Sequence, residues 1–210
     1  MADAKICGIT DTAALDAAIE GGARFVGFVS YPKSPRHLSA DKLAALVARA
    51  RGRVETVLVM VDPGDAQLVA TAGIVRPDWI QLHGSEIPRR AAEVRSFAQR
   101  GVIKAVGLAR RDDLATLPPY EPVVDMFLFD AQAPAAGLPG GNALAFDWGL
   151  LAGASIGRPW LLAGGLTPDN VQEAIRLSGA ALVDVSSGVE SAPGLKDPAK
   201  IAQFLAAAEV

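Results

Sequence analysis

The sequence predicts a single α/β domain, a closed (β/α)8 TIM barrel spanning residues 1–210. Three observations predict it. Eight short apolar runs alternate with longer amphipathic stretches from one end to the other. Most of these runs are apolar at consecutive positions, as expected of parallel strands covered on both faces. No Pro-, Gly- or Ser-rich linker divides the chain, and its 210 residues suffice for one substantial domain rather than two.

The first strand is "AKICGI" (4–9), and "DTAALDAAIEGG" follows it as a helix. Asp11 is placed as its N-cap, Leu15, Ala18 and Ile19 share one face, and Gly21–Gly22 stop it. "RFVGFV" (24–29) leads to "ADKLAALVARA", which Ser39 can cap and whose buried stripe is Leu43, Leu46 and Val47. "VETVLVMV" (54–61) and "DWIQLH" (78–83) are strands three and four, the latter followed by the helical pattern "IPRRAAEVRSFAQRG". "VIKAVGL" (102–108) and "VDMFLFD" (124–130) each precede only a short helix, near 110–116 and after Phe146. "PWLLAG" (159–164) leads to "PDNVQEAIRLSG", with Thr167 as N-cap and Pro168 at the first helical position. "ALVDVS" (181–186) and the helix "PAKIAQFLAAAEV" complete the series. An open doubly wound sheet is the competing arrangement, but it requires a Gly-x-Gly-x-x-Gly turn after strand one, and "CGITD" stands there.

Composition narrows the function. Half of the residues are hydrophobic and 20% are charged, so a large core is expected and disorder is not. A net charge of −3 and a pI near 5.4 argue against nucleic-acid and anionic-membrane partners. The single cysteine excludes a disulfide framework and a multi-thiolate zinc site, and no metal is expected. "MADAKICGIT" lacks the pattern of a signal peptide, and no run reaches the roughly 18 apolar residues of a membrane span. The expectation is a cytoplasmic protein, a monomer or homodimer, acting on a small molecule.

In such a barrel, chemistry comes from the C-terminal strand ends and the loops after them. Cys7 ends strand one, and Lys33 and Arg36 lie in the loop after strand two. His83 ends strand four, Asp130 strand six, and Asp184 with Ser186–Ser187 strand eight. In "AGGLTPDN", Gly164 and Gly165 sit between a strand and a helix start, where backbone N–H groups can approach an anion. "DVSSGVE" offers Ser186, Ser187 and Gly188 from a short helical turn after the last strand. Loops seven and eight are the recurrent phosphate cradle of this fold, so a phosphorylated ligand is expected.

Each polar residue also has a bland interpretation. A lone strand cysteine is more often a small buried hydrophobe than a base. Its strand-end position argues otherwise, and so does Lys5, whose side chain points the same inward way by period two. A neighbouring ammonium is expected to favour the thiolate. Asp130 follows the apolar "MFLF" and emerges into a loop, which suits a general acid as well as a turn residue. His83 fits a hydrogen-bonding wall position and His37 the surface. A Cys–His hydrolase built on Cys7 and His83 has no supporting signature around either residue.

Seven motifs in order carry a resemblance over the full length: "KICGIT", "VGFVSYPKSPRHLS", "WIQLHG", "FLFDA", "PGGNALAFDW", "LLAGGLTPDNV" and "VDVSSGVESAPGLKD". The chain resembles the phosphoribosylanthranilate isomerases of tryptophan biosynthesis. The resemblance implies an Amadori rearrangement of N-(5-phosphoribosyl)anthranilate to 1-(2-carboxyphenylamino)-1-deoxyribulose 5-phosphate, with no cofactor and no metal. It implies Asp130 as general acid, Cys7 as general base, and Arg36 as holder of the anthranilate carboxylate. His83 and Asp184 would line the substrate pocket, and Gly164, Gly165, Ser186, Ser187 and Gly188 would bind the phosphate. One departure stands out: where the family usually has Gly-Gly-Thr-Gly after strand six, this chain has Gly140-Gly141-Asn142-Ala143. Ala tolerates positive φ poorly, which puts the closed shape of that loop in question.

Other barrel enzymes fit less well. A ribulose-phosphate epimerase uses metal-ligand histidines, and this chain has two His. The aminoaldose isomerase of the histidine pathway uses paired aspartates, whereas Cys7 ends strand one here. A non-catalytic phosphate-ligand protein would need neither Cys7 nor Asp130.

Overall fold

The computed structural model describes residues 2–132 and 146–209. Eight strands close into a parallel barrel in chain order: β1 (Asp3–Cys7), β2 (Phe25–Ser30), β3 (Glu55–Met60), β4 (Trp79–Leu82), β5 (Gly101–Leu108), β6 (Met126–Ala131), β7 (Trp160–Leu162) and β8 (Leu182–Val185). The ring closes between β8 and β1, where Lys5 stands opposite Asp184. All eight expected strands are present.

Their consecutive apolar residues divide between two cores. Phe25, Val57, Ile103, Leu128 and Leu161 fill the barrel interior. Val26, Phe28, Leu58, Ile80 and Phe127 face outward against the helices. Strands buried on both sides need apolar residues at successive positions, so the run pattern and the two layers are one fact.

The helices mostly follow local signals, and the departures from them are local. In α1 (Thr12–Glu20), Asp11 accepts the Ala14 N–H at 2.8 Å, and Leu15 and Ala18 are buried. In α2 (Ala40–Ala50), Leu43, Leu46 and Val47 form the buried stripe, although the Ser39 side chain makes no capping hydrogen bond. Two short helices that the sequence reading lacks, α3 (Asp65–Ala70) and α4 (Ala72–Val75), follow β3. Helix α5 (Pro88–Val94) gives way to a 3-10 turn at Arg95–Phe97, earlier than its pattern suggests. Helix α6 (Val171–Ser178) has Asn170 rather than Thr167 at its N-cap. The Asn170 Oδ1 accepts the Thr167 N–H at 2.7 Å, so Thr167–Pro168 form a turn ahead of the helix. The two short helices expected after strands five and six are 3-10 turns at Arg111–Thr116 and Trp148–Leu151.

A further difference lies after β8. A 3-10 turn (Ser187–Val189) runs into a small antiparallel hairpin of β9 (Glu190–Ala192) and β10 (Leu195–Lys196), absent from the sequence reading. Helix α7 (Pro198–Ala208) follows, capped by Asp197. The Gly140-Gly141-Asn142-Ala143 stretch lies outside the described residues. Among those described, no helix is long and apolar enough to cross a membrane.

Candidate active site

The polar residues gather at the C-terminal mouth. Lys5 and Cys7 alternate with the outward-facing Ile6 and project into the barrel. Room for them comes from β2: a Cβ on Gly27 would stand 2.8 Å from the Cys7 Sγ and 3.3 Å from the Lys5 Cε. Lys5 is fully buried, and its Nζ donates to Asp184 Oδ1 at 2.7 Å across the β8–β1 seam. Asp184 is therefore committed to Lys5 directly beneath Cys7.

This geometry corrects the expectation about the thiol. Burial pushes the Cys7 pKa up, the Lys5 ammonium draws it down, and the Asp184 carboxylate pushes it up again; the net direction is upward. Lys5 acts in the expected sense but is outweighed, because desolvation penalises the thiolate and Asp184 offsets much of the ammonium's charge. For Lys5 itself, burial lowers the pKa, and the carboxylate and the cysteine together more than reverse this.

Arg36 is buried against the same strand end. Its stem passes over Gly8, whose Cβ position would lie 2.5 Å from the Arg36 Cδ, and Gly8 has a φ of +77°. Only glycine fits there, so the residue after Cys7 is what admits the cation to the mouth. Arg36 Nε and Nη2 donate to the two oxygens of Glu190 at 2.7 and 2.9 Å. Lys33 and His37 of the same loop are exposed.

On the far side, His83 Nε2 lies 3.5 Å from Asp130 Oδ2, and Asp130 Oδ1 accepts the Ala131 N–H at 2.8 Å. Sequence reasoning missed the residue that orients His83. Gln81, two residues earlier on β4, is buried in the barrel with its Nε2 2.8 Å from His83 Nδ1. With Gln81 as donor, Nδ1 accepts, and the proton of the neutral ring sits on Nε2, facing Asp130. The Gln81 Oε1 has no partner among the described residues. Inward period-two spacing from His83 was the available signal. Strands β1 and β6 are separated by β8 and β7 around the ring, so Cys7 and Asp130 face one another across the mouth.

The two glycine loops form one cradle. Gly188 packs so closely on the Leu166 carbonyl that no Cβ fits, and its Cβ position would be 3.1 Å from the Thr167 Cα. Gly164 and Gly165 have φ of +85° and +67°, and Gly164 lies against the backbone of Ala131, beside Asp130. Ser186 and Ser187 precede Gly188 in the same loop, and Lys196 Nζ donates to the Ser186 carbonyl at 3.0 Å. Such turns turn backbone N–H groups toward an anion. Among the described residues, no group of three or more His, Cys, Asp or Glu is placed to hold a metal ion.

A parallel barrel with a thiol, a carboxylic acid and two abutting glycine loops at one mouth fits the class of phosphosugar-converting barrel enzymes. The comparisons refine this. Residues 4–207 match the family model described as PRAI, N-(5'phosphoribosyl)anthranilate (PRA) isomerase, and the chain belongs to that family. The N-(5'-phosphoribosyl)anthranilate isomerase of Paracoccus denitrificans is 57% identical over 205 residues, covering 97% of this chain and 95% of the relative. That of Paramagnetospirillum magneticum is 53% identical over 98% of this chain and 96% of the relative. The crystal structure of phosphoribosyl anthranilate isomerase from Thermotoga maritima superimposes with a TM-score of 0.87 at 35% identity, covering 100% of this chain and 99% of that one. Another isomerase structure, at TM-score 0.85 and 33% identity, holds reduced 1-(o-carboxyphenylamino)-1-deoxyribulose 5-phosphate. The activity of this chain is the isomerisation of N-(5'-phosphoribosyl)anthranilate in tryptophan biosynthesis.

Proposed function

We propose that residues 1–210 act as one catalytic domain in which Asp130 is the general acid and Cys7 the general base. Asp130 delivers a proton to the furanose ring oxygen, the C1–O bond breaks, and the anthranilate nitrogen closes an iminium at C1. Cys7 then removes the C2 proton, giving an enolamine that tautomerises to the ketone. The observation that carries this reading is the placement of Cys7 and Asp130 at strand ends facing across a mouth floored by two abutting glycine loops.

The electrostatics suit that order. Burial keeps Cys7 protonated in the resting site and makes each thiolate a stronger base. The iminium formed by ring opening adds positive charge at the same mouth, favouring the thiolate as Lys5 does. The first step thereby promotes the second. Gly164, Gly165, Ser186, Ser187 and Gly188 hold the phosphate, whose binding orients the reacting carbons from a distance. Arg36 takes the anthranilate carboxylate, and His83 steadies Asp130. The substrate is a small anionic phosphosugar, no cofactor takes part, and the enzyme works in the cytoplasm as a monomer or homodimer.

The test is an assay with freshly made N-(5-phosphoribosyl)anthranilate, followed by loss of its anthranilate-type fluorescence. Cys7→Ala and Asp130→Asn are each expected to lower kcat by about 10²- to 10⁴-fold while retaining affinity for a product-like phosphate ligand. Near-normal turnover in Cys7→Ala would remove the base assignment.

A further inference from the structure

The hairpin that the sequence reading lacked brings two charged side chains to the mouth. Glu190 opens β9 and Lys196 closes β10, and both are buried. The Glu190 carboxylate receives Arg36 through Nε and Nη2 at 2.7 and 2.9 Å and Lys196 Nζ at 2.6 Å. Lys196 continues the chain to the Ser186 carbonyl in the glycine-serine loop. Burial raises the Glu190 pKa, but hydrogen bonds from Arg36 and Lys196 outweigh it and hold the carboxyl below its ordinary value.

The hairpin is fixed on both sides. Thr10 Oγ1 donates to the Gly194 carbonyl at 3.0 Å. Gly194, with a φ of +83°, packs on Pro35, whose carbonyl oxygen would be 2.6 Å from a Cβ there. The tip of the hairpin therefore abuts the residue before Arg36.

A guanidinium is a planar fork with two edges that can each take a carboxylate. Glu190 occupies the side edge, made by Nε and one proton of Nη2. The end edge, made by Nη1 and the second proton of Nη2, lies in the same plane and has no hydrogen-bond partner among the described residues. We propose that Glu190 is the positioning residue that sets the plane of Arg36, so that its end edge receives the substrate carboxylate. Through Lys196 and Ser186 it also ties the carboxylate subsite to the phosphate cradle, fixing the separation of the two anionic ends. Specificity for an ortho-carboxylated arylamine over a plain one then depends on a residue that touches no substrate. This proposal rests on the assignment of Arg36 to the anthranilate carboxylate.

The experiment compares N-(5-phosphoribosyl)anthranilate with N-(5-phosphoribosyl)aniline, which lacks the carboxylate, in wild type, Arg36→Lys and Glu190→Gln. Wild type should favour the carboxylated substrate. Glu190→Gln should raise its KM by about 10- to 100-fold, as expected for loss of a charged hydrogen-bond partner, while kcat changes far less. The KM for the aniline compound should stay put in that variant. If wild type treats both substrates alike, the Arg36 assignment fails and the proposal with it. If Arg36→Lys loses the discrimination and Glu190→Gln keeps it, the Arg36 assignment stands and the positioning role is overturned. Should Glu190→Gln not fold, Glu190→Gln combined with Lys196→Met removes one charge of each sign from the cluster. Retained discrimination in the folded double variant would overturn the proposal equally.

Discussion

The two ends of this barrel use the same ionic residues in opposite ways. At the N-terminal end, Arg24 pairs with Asp3 at 2.6 Å while 46% of its side chain remains exposed, and Arg100 reaches Glu55 at 3.8 Å from an exposed position. At the C-terminal mouth, Lys5 with Asp184 and Arg36 with Glu190 and Lys196 are buried. Exposed pairs are screened and contribute about 0–1 kcal/mol. Buried pairs carry a desolvation penalty, and removing one partner leaves an uncompensated charge costing about 3–5 kcal/mol. The barrel keeps its costly charges at the end where we place the reaction. Pair counts or distances alone would not separate the two ends; burial does.

The contrast can be broken most forcefully at the seam. Asp184→Ala strands the Lys5 ammonium inside the barrel, and chemical denaturation should register a loss of about 3–5 kcal/mol. Replacing both, as Lys5→Met with Asp184→Leu, should cost clearly less than the single change. Equal costs would mean that the pair is not acting as a unit.

A second measurement addresses the thiol between these charges. Cys7 is the chain's one cysteine, so iodoacetamide labelling reports it alone. Because its pKa is raised on folding, the folded protein should hold the thiol proton to higher pH than the unfolded chain. The labelling inflection should therefore lie above 9.0 in the native protein and move down in denaturant. By linkage, the folded state should lose stability as pH rises past the unfolded thiol's pKa. An inflection near neutrality would show a resting thiolate. The smallest effect belongs to the opposite end: Arg24→Ala should change stability by no more than about 1 kcal/mol, and salt should shrink even that.

The same contrast explains what the sequence made legible. The eight strands were readable because burial on both faces writes an apolar run into each. Cys7, Asp130, His83 and the glycine loops were readable because strand ends are where this fold carries polar groups. The sign of the Cys7 shift was not, since Lys5 is audible in the sequence at i−2 but Asp184 and the depth of burial are not. Glu190 and Lys196 were hidden for a related reason. The meeting of Glu190 with Arg36 joins residues 154 positions apart, and a hairpin strand of two or three residues leaves no periodic trace. Helices α3 and α4 were missed because pieces of six and four residues split at Thr71 show no sustained 3.6-residue stripe.

Gly27 carries a consequence for how such a site can arise. Strand interiors of these barrels are ordinarily sealed by branched side chains, yet here β2 offers only the backbone of Gly27 opposite Cys7. Even one methyl at position 27 would collide with the sulfur. A barrel with a side chain at position 27 could not accept the β1 thiol until that side chain was deleted. The order of substitutions is thus constrained, subtraction on one strand before acquisition on its neighbour, and a designer grafting this chemistry onto another barrel inherits the same order.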